Sequence, residues 1–396
     1  MKSSVSQIWL FLNAYTSGSS GGDVCAIEVI SHAPPETQVT LFTSSQGVKY
    51  AESFRKPATT HWIRVVTSRE RVITHLIVTY VLRTITALFF VLSQAFSGLF
   101  QKKPPLIVYG SSDFFPDTLP ALMAKVLLRA VWTQKVYHLI GRERRLAHLT
   151  QRMSLGLIFR YADHIFITDP ELLATFQKRL SRLGREPSIV RLTSAGIDFE
   201  RFKPGPSDTN GIDQPKYTYE SVCLNRIHRS KGIFELVEIW AKVTATFPKA
   251  KLAVIGSTSD SALFDEVKNQ VRHQNLEHAI DFLGFQPHEE VARIFQSSQV
   301  FVSPSLEEGF GMAPLEAMAT GLPVVAFDLP VYHHTAGSSW LLAKLKDCDE
   351  FASHICRLLG DKGLRQTQSE RGLTLVKRFD WAELSKSELS ISGLEF

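Results

Sequence analysis

The chain has 396 residues, of which 44% are hydrophobic and 21% charged, and its formal net charge is +5. These values are typical of a globular protein with full cores and exclude a disordered chain, and the length predicts two or three domains. The four cysteines show no close metal-ligand spacing, which argues against a structural zinc or a disulfide framework and indicates a reducing compartment. They are Cys25, Cys223, Cys348 and Cys356.

Positive charge is concentrated in the first half of the chain. A basic half fits an anionic partner such as a phosphate-bearing substrate or a lipid surface, and it also fits a plain solvated surface. No nucleic-acid-binding motif accompanies the charge, so nucleic acid is not an expected partner. The apolar run at residues 8–12 is too short for a secretory signal and leads into a Gly/Ser loop. This predicts a protein of the cytoplasm, or one peripheral on the cytoplasmic face of a membrane.

Short apolar runs alternate with longer helical patterns, which predicts an α/β fold with parallel sheets. The predicted strands of the first half are residues 8–13, 38–43, 62–66, 106–109, 136–140 and 164–168. Those of the second half are residues 221–225, 252–256, 280–283, 300–303 and 324–327. Residues 202–215 hold three prolines and two glycines, as linkers do. We therefore predict two doubly wound, Rossmann-like domains, residues 1–200 and 201–379, with the active site in the cleft between them.

Residues 76–100 form an apolar segment in which Arg83 and Gln94 are the only strongly polar residues. Its length alone permits a transmembrane span. However, Arg83 would cost roughly 2.5–3.5 kcal/mol in a membrane, and predicted strands of one sheet lie on both sides of the segment. A helix packed on the sheet is the favoured interpretation, and a helix in a membrane interface is the alternative. Nearby cations would suit anionic headgroups; they are Lys102, Lys103, Arg142, Arg144, Arg145 and Arg152.

Two segments of the first half follow predicted strands at one edge of the sheet. Residues 17–23 read SGSSGGD, and Gly21 and Gly22 permit close approach of substrate oxygen atoms. A flexible turn is the alternative interpretation. Residues 109–113, YGSSD, end another predicted strand and are a candidate acceptor-facing segment.

The loop after the first strand of the second half carries two cations. It reads NRIHRSKG from Asn225 to Gly232. At the carboxyl end of a strand, Arg226 and Lys231 can clamp a diphosphate and neutralise the charge that grows on it as it leaves. Taken alone, the same two residues would be interpreted as solvated loop charges.

The most informative run is residues 301–327, FVSPSLEEGFGMAPLEAMATGLPVVAF. It predicts a strand, a loop and a helix with Pro314 in its first turn, where a missing N–H is harmless. Gly309 and Gly311 flank Phe310 and let the backbone turn tightly against a ligand. The N–H groups of the predicted helix start would point towards an anion; they belong to Gly311, Met312 and Ala313.

Two carboxylates stand on either side of this predicted anion site. Glu308 precedes the helix and Glu316 lies one turn into it. Because a carboxylate accepts hydrogen bonds from two adjacent sugar hydroxyls, two of them beside a phosphate cradle suit a sugar nucleotide. The alternative is an ordinary strand–turn–helix with two solvated glutamates.

This run closely resembles the signature of glycosyltransferase family 4, in which two glutamates are separated by seven residues. The resemblance implies that Glu308 contacts the transferred sugar and Glu316 holds the ribose, while the amides between them bind sugar and phosphates. Arg226 and Lys231 match the family's cationic loop, although Asn225 replaces the usual glycine beside the donor. His138 matches a family histidine that contacts the donor sugar, and residues 380–396 match a helix that packs back on the first domain.

The resemblance implies a GT-B fold and transfer of a hexosyl residue, with retention, from a UDP- or GDP-sugar. The implied acceptor is a hydroxyl of a glycan or of a lipid-linked molecule, and no metal or other cofactor is expected. Residues 331–335 depart from the family pattern, and no role is assigned to them. Two alternatives stay open: a sugar-nucleotide epimerase of the same architecture, and a non-catalytic sugar-nucleotide-binding subunit of a membrane glycosylation complex.

Overall fold

A computed structural model describes residues 7–14, 21–54, 61–69, 75–97, 105–137, 139–141, 144–204, 218–258, 260–335 and 337–396. The chain divides into two compact units. Unit 1 comprises Met1–Gly196 together with Trp381–Phe396, and unit 2 comprises Ile197–Asp380. Each unit is an α/β body built around its own sheet.

The sheet of unit 1 has seven parallel strands in the order β3-β2-β1-β4-β5-β6-β7. They are β1 (Gln7–Phe11), β2 (Gln38–Ser44), β3 (His61–Ser68), β4 (Leu106–Gly110), β5 (Val131–Val136), β6 (His164–Ile167) and β7 (Val190–Leu192). Its helices are α1 (Gly21–Ser31), α2 (Ser45–Phe54), α3 (Leu76–Ser97), α4 (Phe115–Leu128), α5 (Arg145–Tyr161), α6 (Pro170–Arg182) and, at the C-terminus, α15 (Trp381–Ile391).

The sheet of unit 2 has six parallel strands in the order β10-β9-β8-β11-β12-β13. They are β8 (Tyr219–Leu224), β9 (Leu252–Ile255), β10 (Ile280–Gly284), β11 (Ser298–Ser303), β12 (Val324–Phe327) and β13 (Trp340–Ala343). Its helices are α7 (Phe199–Phe202), α8 (Ile233–Thr246), α9 (Ser261–His273), α10 (His288–Gln296), α11 (Met312–Ala319), α12 (Tyr332–Thr335), α13 (Cys348–Gly360) and α14 (Lys362–Val376). The predicted α/β class with two doubly wound parallel sheets is confirmed.

One predicted strand is misplaced. The strand expected at residues 136–140 is β5, Val131–Val136, which pairs with β4 and β6. The sequence does not reveal this strand, because Thr133, Gln134 and Lys135 are polar. In the structure all three side chains are fully buried. The short edge strands β7 and β13 were not predicted.

A buried ionic contact explains how a lysine can occupy that strand. The Lys135 ammonium lies 2.9 Å from a carboxylate oxygen of Glu388 on α15, and both side chains are almost inaccessible to solvent. The Tyr109 hydroxyl donates to the other carboxylate oxygen at 2.8 Å, and Thr193 donates to the first. Since an unpaired buried charge is strongly destabilising, these contacts tie α15 to the sheet of unit 1.

Helix α3 is packed on unit 1 through one side only. Its buried residues are Arg83, Thr84, Ala87 and Val91. The segment is long and apolar enough to cross a membrane by length and composition. The predicted packing on the body of the unit nevertheless holds, because α3 contacts α4, β2 and β3.

Candidate functional site

The loops that follow β8 and β11 meet at the carboxyl edge of the sheet of unit 2. After β8 the chain makes a short helical turn at Arg229–Lys231, and Gly232 follows with φ +65°. A Cβ atom on Gly232 would overlap the carbonyl oxygen of Pro304, in the loop after β11. In addition, the N–H of Leu306 donates to the carbonyl of Ser230 at 2.9 Å. Glycine at 232 therefore lets the two loops touch.

This contact brings together two residues that the sequence predicted to act at one site. The Lys231 ammonium lies 2.8 Å from a carboxylate oxygen of Glu308, and both side chains are largely buried. Lys231 also donates to the carbonyl oxygen of Glu307 at 3.1 Å. Lysine and glutamate thus neutralise each other in the structure, so an anionic ligand of Lys231 has to share it with Glu308.

A hydrogen-bonded chain extends from this ion pair to Asn225. The Asn225 side-chain amide donates to the Ser305 hydroxyl at 3.1 Å, and that hydroxyl donates to Glu308 at 2.8 Å. Ser305 is fully buried. The role of Ser305 has no sequence signal of its own, although the residue lies within the run of residues 301–327. Asn225, the departure from the family's glycine, therefore has a structural role: it orients the serine that holds Glu308.

The start of α11 forms next to Glu308, as the sequence predicted. Gly311 has φ +88°, and a Cβ there would lie 2.7 Å from the ring of Tyr332. The N–H groups of Met312 and Ala313 begin α11, and among the described residues they have no acceptor. Around Gly309 a Cβ would meet nothing within 4 Å, so the protein's own packing does not require glycine there. Free helix-start amides favour an anion.

The second carboxylate, Glu316, sits one turn into α11 and is half-buried. Burial raises the pKa of its carboxyl group to about 7, and the positive charge of Arg201 partly opposes that rise. Near neutral pH this group is therefore partly protonated. As a neutral acid it can donate a hydrogen bond, and as a carboxylate it can accept two.

The other two predicted residues of unit 2 lie at the same edge. Arg226 is exposed and forms no ion pair with any residue that the structure describes. Its guanidinium is free to meet an anion from solvent. Phe310 is half-buried, and its ring packs against Phe379 at 6.2 Å between centroids.

In unit 1 the predicted residues have mixed outcomes. Gly21 begins α1, and a Cβ on Gly22 would lie 2.8 Å from the ring of Tyr137. The Tyr137 hydroxyl donates to the Gly22 carbonyl at 2.7 Å, so packing within unit 1 already requires this glycine. His138 and residues 15–20 of the predicted Gly/Ser loop lie outside the described residues.

Two side chains of the candidate acceptor-facing segment, residues 109–113, are buried inside unit 1. Tyr109 is fully buried against Glu388, and Asp113 is buried with its carboxylate 2.8 Å from the Gln151 side-chain amide. Burial raises the pKa of Asp113 to about 7. The expectation that these two side chains face an acceptor is therefore wrong, because each is used within unit 1.

Throughout the described ranges, no three side chains of His, Cys, Asp or Glu are gathered in a way that could hold a metal ion. The cationic and amide groups described above are the candidate anion-binding groups of unit 2.

Comparison with known proteins finds a family match in the second half of the chain. Residues 210–374 match the family described as "Glycosyl transferases group 1". Through that region, which is less than half of the chain, the protein is similar to glycosyltransferases of this family.

Two curated relatives illustrate the likeness. O-antigen chain mannosyltransferase B of Escherichia coli is 36% identical over 102 residues, which are 26% of this chain and 27% of the relative. D-inositol 3-phosphate glycosyltransferase of Corynebacterium diphtheriae is 26% identical over 243 residues, 59% of this chain and 56% of the relative. The chain thus spans about a quarter to a half of the length of the curated relatives it matches.

Two solved structures share the fold over almost the whole chain. HepE of Anabaena, in complex with UDP and glucose, has a TM-score of 0.72 at 17% identity and covers 98% of both chains. Sucrose-phosphate synthase from Thermosynechococcus elongatus has a TM-score of 0.69 at 20% identity, with the same coverage. At these identities the likeness establishes the GT-B fold alone.

Proposed function

We propose that the chain is a retaining hexosyltransferase that needs no metal and uses a nucleotide diphosphate sugar as donor. The observation that carries the proposal is the contact between Lys231 and Glu308 beside the start of α11. In this proposal Lys231 binds the diphosphate and Glu308 contacts the sugar, so the ion pair joins the two halves of the donor site. The match of residues 210–374 to the glycosyl transferase family supports the same reaction class.

In the proposed reaction, the bond between the anomeric carbon and the diphosphate oxygen breaks, and its electron pair leaves with the diphosphate. The acceptor oxygen bonds to the anomeric carbon on the same face, and its proton passes to the departing phosphate oxygen. Arg226, Lys231 and the amides of α11 stabilise the negative charge as it grows. Glu308 orients the sugar and stabilises positive charge at the anomeric carbon.

Among donors we propose a UDP-sugar first and a GDP-sugar second. A UDP complex of the similarly folded HepE supports this order. The acceptor is proposed as a hydroxyl of a glycan or a lipid-linked molecule, because one curated relative is an O-antigen chain mannosyltransferase. Cytoplasmic location stays a prediction of the sequence.

The decisive experiment is a screen of UDP- and GDP-sugars for slow hydrolysis, since hydrolysis requires no known acceptor. Purified protein is incubated with each donor in EDTA, and release of the nucleoside diphosphate is followed by chromatography. We expect release from one donor class, undiminished by EDTA and lost in Glu308→Ala. A strict requirement for added Mg²⁺ or Mn²⁺ would contradict the metal-independent mechanism.

The same samples separate the proposal from its two alternatives. An epimerase would alter the proton NMR spectrum of the sugar without releasing nucleoside diphosphate. A non-catalytic binding subunit would give a calorimetric binding signal with the intact donor and no turnover. Either result would replace the transferase assignment.

A further inference from the structure

The outer side of α3 is an apolar surface that faces away from unit 1. Nine of its large apolar side chains are exposed, and the most prominent are Ile85, Phe89 and Phe96, at 57%, 73% and 69%. Monomeric soluble proteins rarely leave so many large apolar groups together in water. In unit 2, by contrast, only Phe285 and Leu345 are comparably exposed among the described residues.

The opposite side of α3 is fixed to unit 1, so the helix cannot cross a membrane while the unit is folded. Arg83 is buried, and its guanidinium donates to the carbonyl of Asn13 at 2.8 Å and to the Ser68 hydroxyl at 2.9 Å. Tyr80 donates to the carbonyl of Ala14 at 3.0 Å. These bonds fasten α3 to the loop after β1 and to the end of β3, and they fix which side points outward.

Two exposed hydroxyl groups on the outer side of α3 already make hydrogen bonds within the helix. The Thr86 hydroxyl donates to the Leu82 carbonyl at 3.0 Å, and the Ser93 hydroxyl donates to the Phe90 carbonyl at 2.7 Å. A hydroxyl that keeps its hydrogen bond costs little to remove from water. These hydroxyl groups can therefore enter an apolar phase without leaving a hydrogen-bond donor unpaired.

Helix α5 adds positive charge on the same side of the sheet, because α4 packs against both α3 and α5. Its exposed apolar residues Leu149 and Met153 alternate with the exposed Arg145 and Arg152. Neither α3 nor α5 contains a single aspartate or glutamate. Apolar side chains with flanking arginines and no acids match the interface of an anionic bilayer.

We propose that the outer sides of α3 and α5, which we call the docking face, bind the surface of an anionic lipid bilayer. Phe89, Phe96 and Met153 insert among the acyl chains, and Arg145 and Arg152 contact the headgroups. This proposal goes beyond the transferase assignment. It concerns unit 1 alone and stands whether or not the chain turns over a sugar nucleotide.

The test is flotation of the purified full chain with vesicles, without any sugar nucleotide. One set is phosphatidylcholine, and the other is phosphatidylcholine with phosphatidylglycerol. We expect the wild type to float with the anionic vesicles and much less with the neutral ones. Phe89→Asp/Phe96→Asp should lower the bound fraction at least about tenfold, because insertion of two large apolar groups is lost. Arg145→Gln/Arg152→Gln should remove most of the preference for anionic lipid.

The matched control is Phe285→Asp, which changes an equally exposed phenylalanine of unit 2, at 77%. It should float like the wild type. Thermal melting of each variant checks folding, and exposed positions should leave the midpoint unchanged. The proposal is overturned if the wild type stays with the dense fraction in both vesicle sets, or if Phe89→Asp/Phe96→Asp floats normally. A wild-type dimer that the same double variant converts to a monomer would instead assign the docking face to a second copy, and would also overturn it.

Discussion

Lys231 and Glu308 stand 77 residues apart in the chain, and the Lys231 ammonium lies 2.8 Å from the Glu308 carboxylate. The contact exists because β8 and β11 are neighbours in the sheet and their following loops interlock at Gly232. The cation proposed for the diphosphate and the carboxylate proposed for the sugar are therefore in direct contact.

Removal of either partner of this ion pair should abolish most turnover. We expect Lys231→Ala and Glu308→Ala each to raise the barrier to donor hydrolysis by roughly 3–4 kcal/mol, the cost of a lost transition-state contact. The control is Lys242→Ala, which removes a surface lysine 2.7 Å from Asp349, and it should hydrolyse donor at the normal rate. Near-normal turnover in both site variants would discard the assignment.

Ser305 should act as a positioning residue for Glu308. Ser305→Ala removes one hydrogen bond to the carboxylate and should lower kcat about tenfold, with little change in KM, for a loss of about 1.4 kcal/mol. Asn225→Gly should have a smaller effect. Since Asn225 reaches Glu308 only through Ser305, the double variant should match Ser305→Ala rather than show the sum of both effects. If the effects of the two single variants on kcat add fully in the double variant, Asn225 influences turnover by a route that does not include Ser305.

Gly232 should be far less tolerant of a side chain than a glycine of similar backbone conformation. Gly232→Ala adds a clash with Pro304 to the strain of φ +65°, whereas Gly284 has φ +67° and open space around a Cβ. Gly284→Ala should cost about 1–2 kcal/mol, and Gly232→Ala clearly more. The comparison is made on thermal midpoints of the two variants, and equal shifts would contradict interlocking of the loops.

Glu316 should make stability depend on pH. Burial raises the pKa of its carboxyl group to about 7 in the folded protein, from 4.5. Between these values the folded state binds more protons than the unfolded state, so stability falls as pH rises from 4.5 to 7. Glu316→Gln removes this contribution. The thermal midpoint of the variant should therefore gain on that of the wild type as pH rises through this window, and a constant difference would refute the assigned shift.

Removing one partner of the buried Lys135–Glu388 ion pair should destabilise unit 1 more than replacing both partners. Glu388→Ala leaves Lys135 without its carboxylate in a buried site and should destabilise unit 1 by about 3–5 kcal/mol. Lys135→Met/Glu388→Leu removes both charges and should recover only part of this loss, because the Tyr109 and Thr193 hydroxyls still lose their acceptor. Urea unfolding monitored in unit 1 provides the comparison, and equal losses would mean that packing rather than charge dominates.

Local patterns in the sequence were enough to predict the fold class and part of the candidate site. The alternation of strand and helix patterns predicted the α/β class, and the run around Glu308 and Glu316 predicted the helix start at Gly311. Both predictions succeeded because each signal lies within a few consecutive residues. Even so, β5 was misplaced by several residues. Lys135 looks solvated in sequence, and only Glu388, 253 residues away, makes its burial possible.

Contacts between distant segments were decided by the tertiary structure alone. The sequence predicted that Lys231 and Glu308 belong to one site. It did not predict their direct ion pair or the hydrogen bonds from Asn225 through Ser305, because both depend on the order of the strands and on the contact between the loops after β8 and β11. The same holds for α3, whose composition is apolar on every side. Which side faces outward was settled by Arg83, because a buried guanidinium must find its hydrogen-bond acceptors in other parts of the fold.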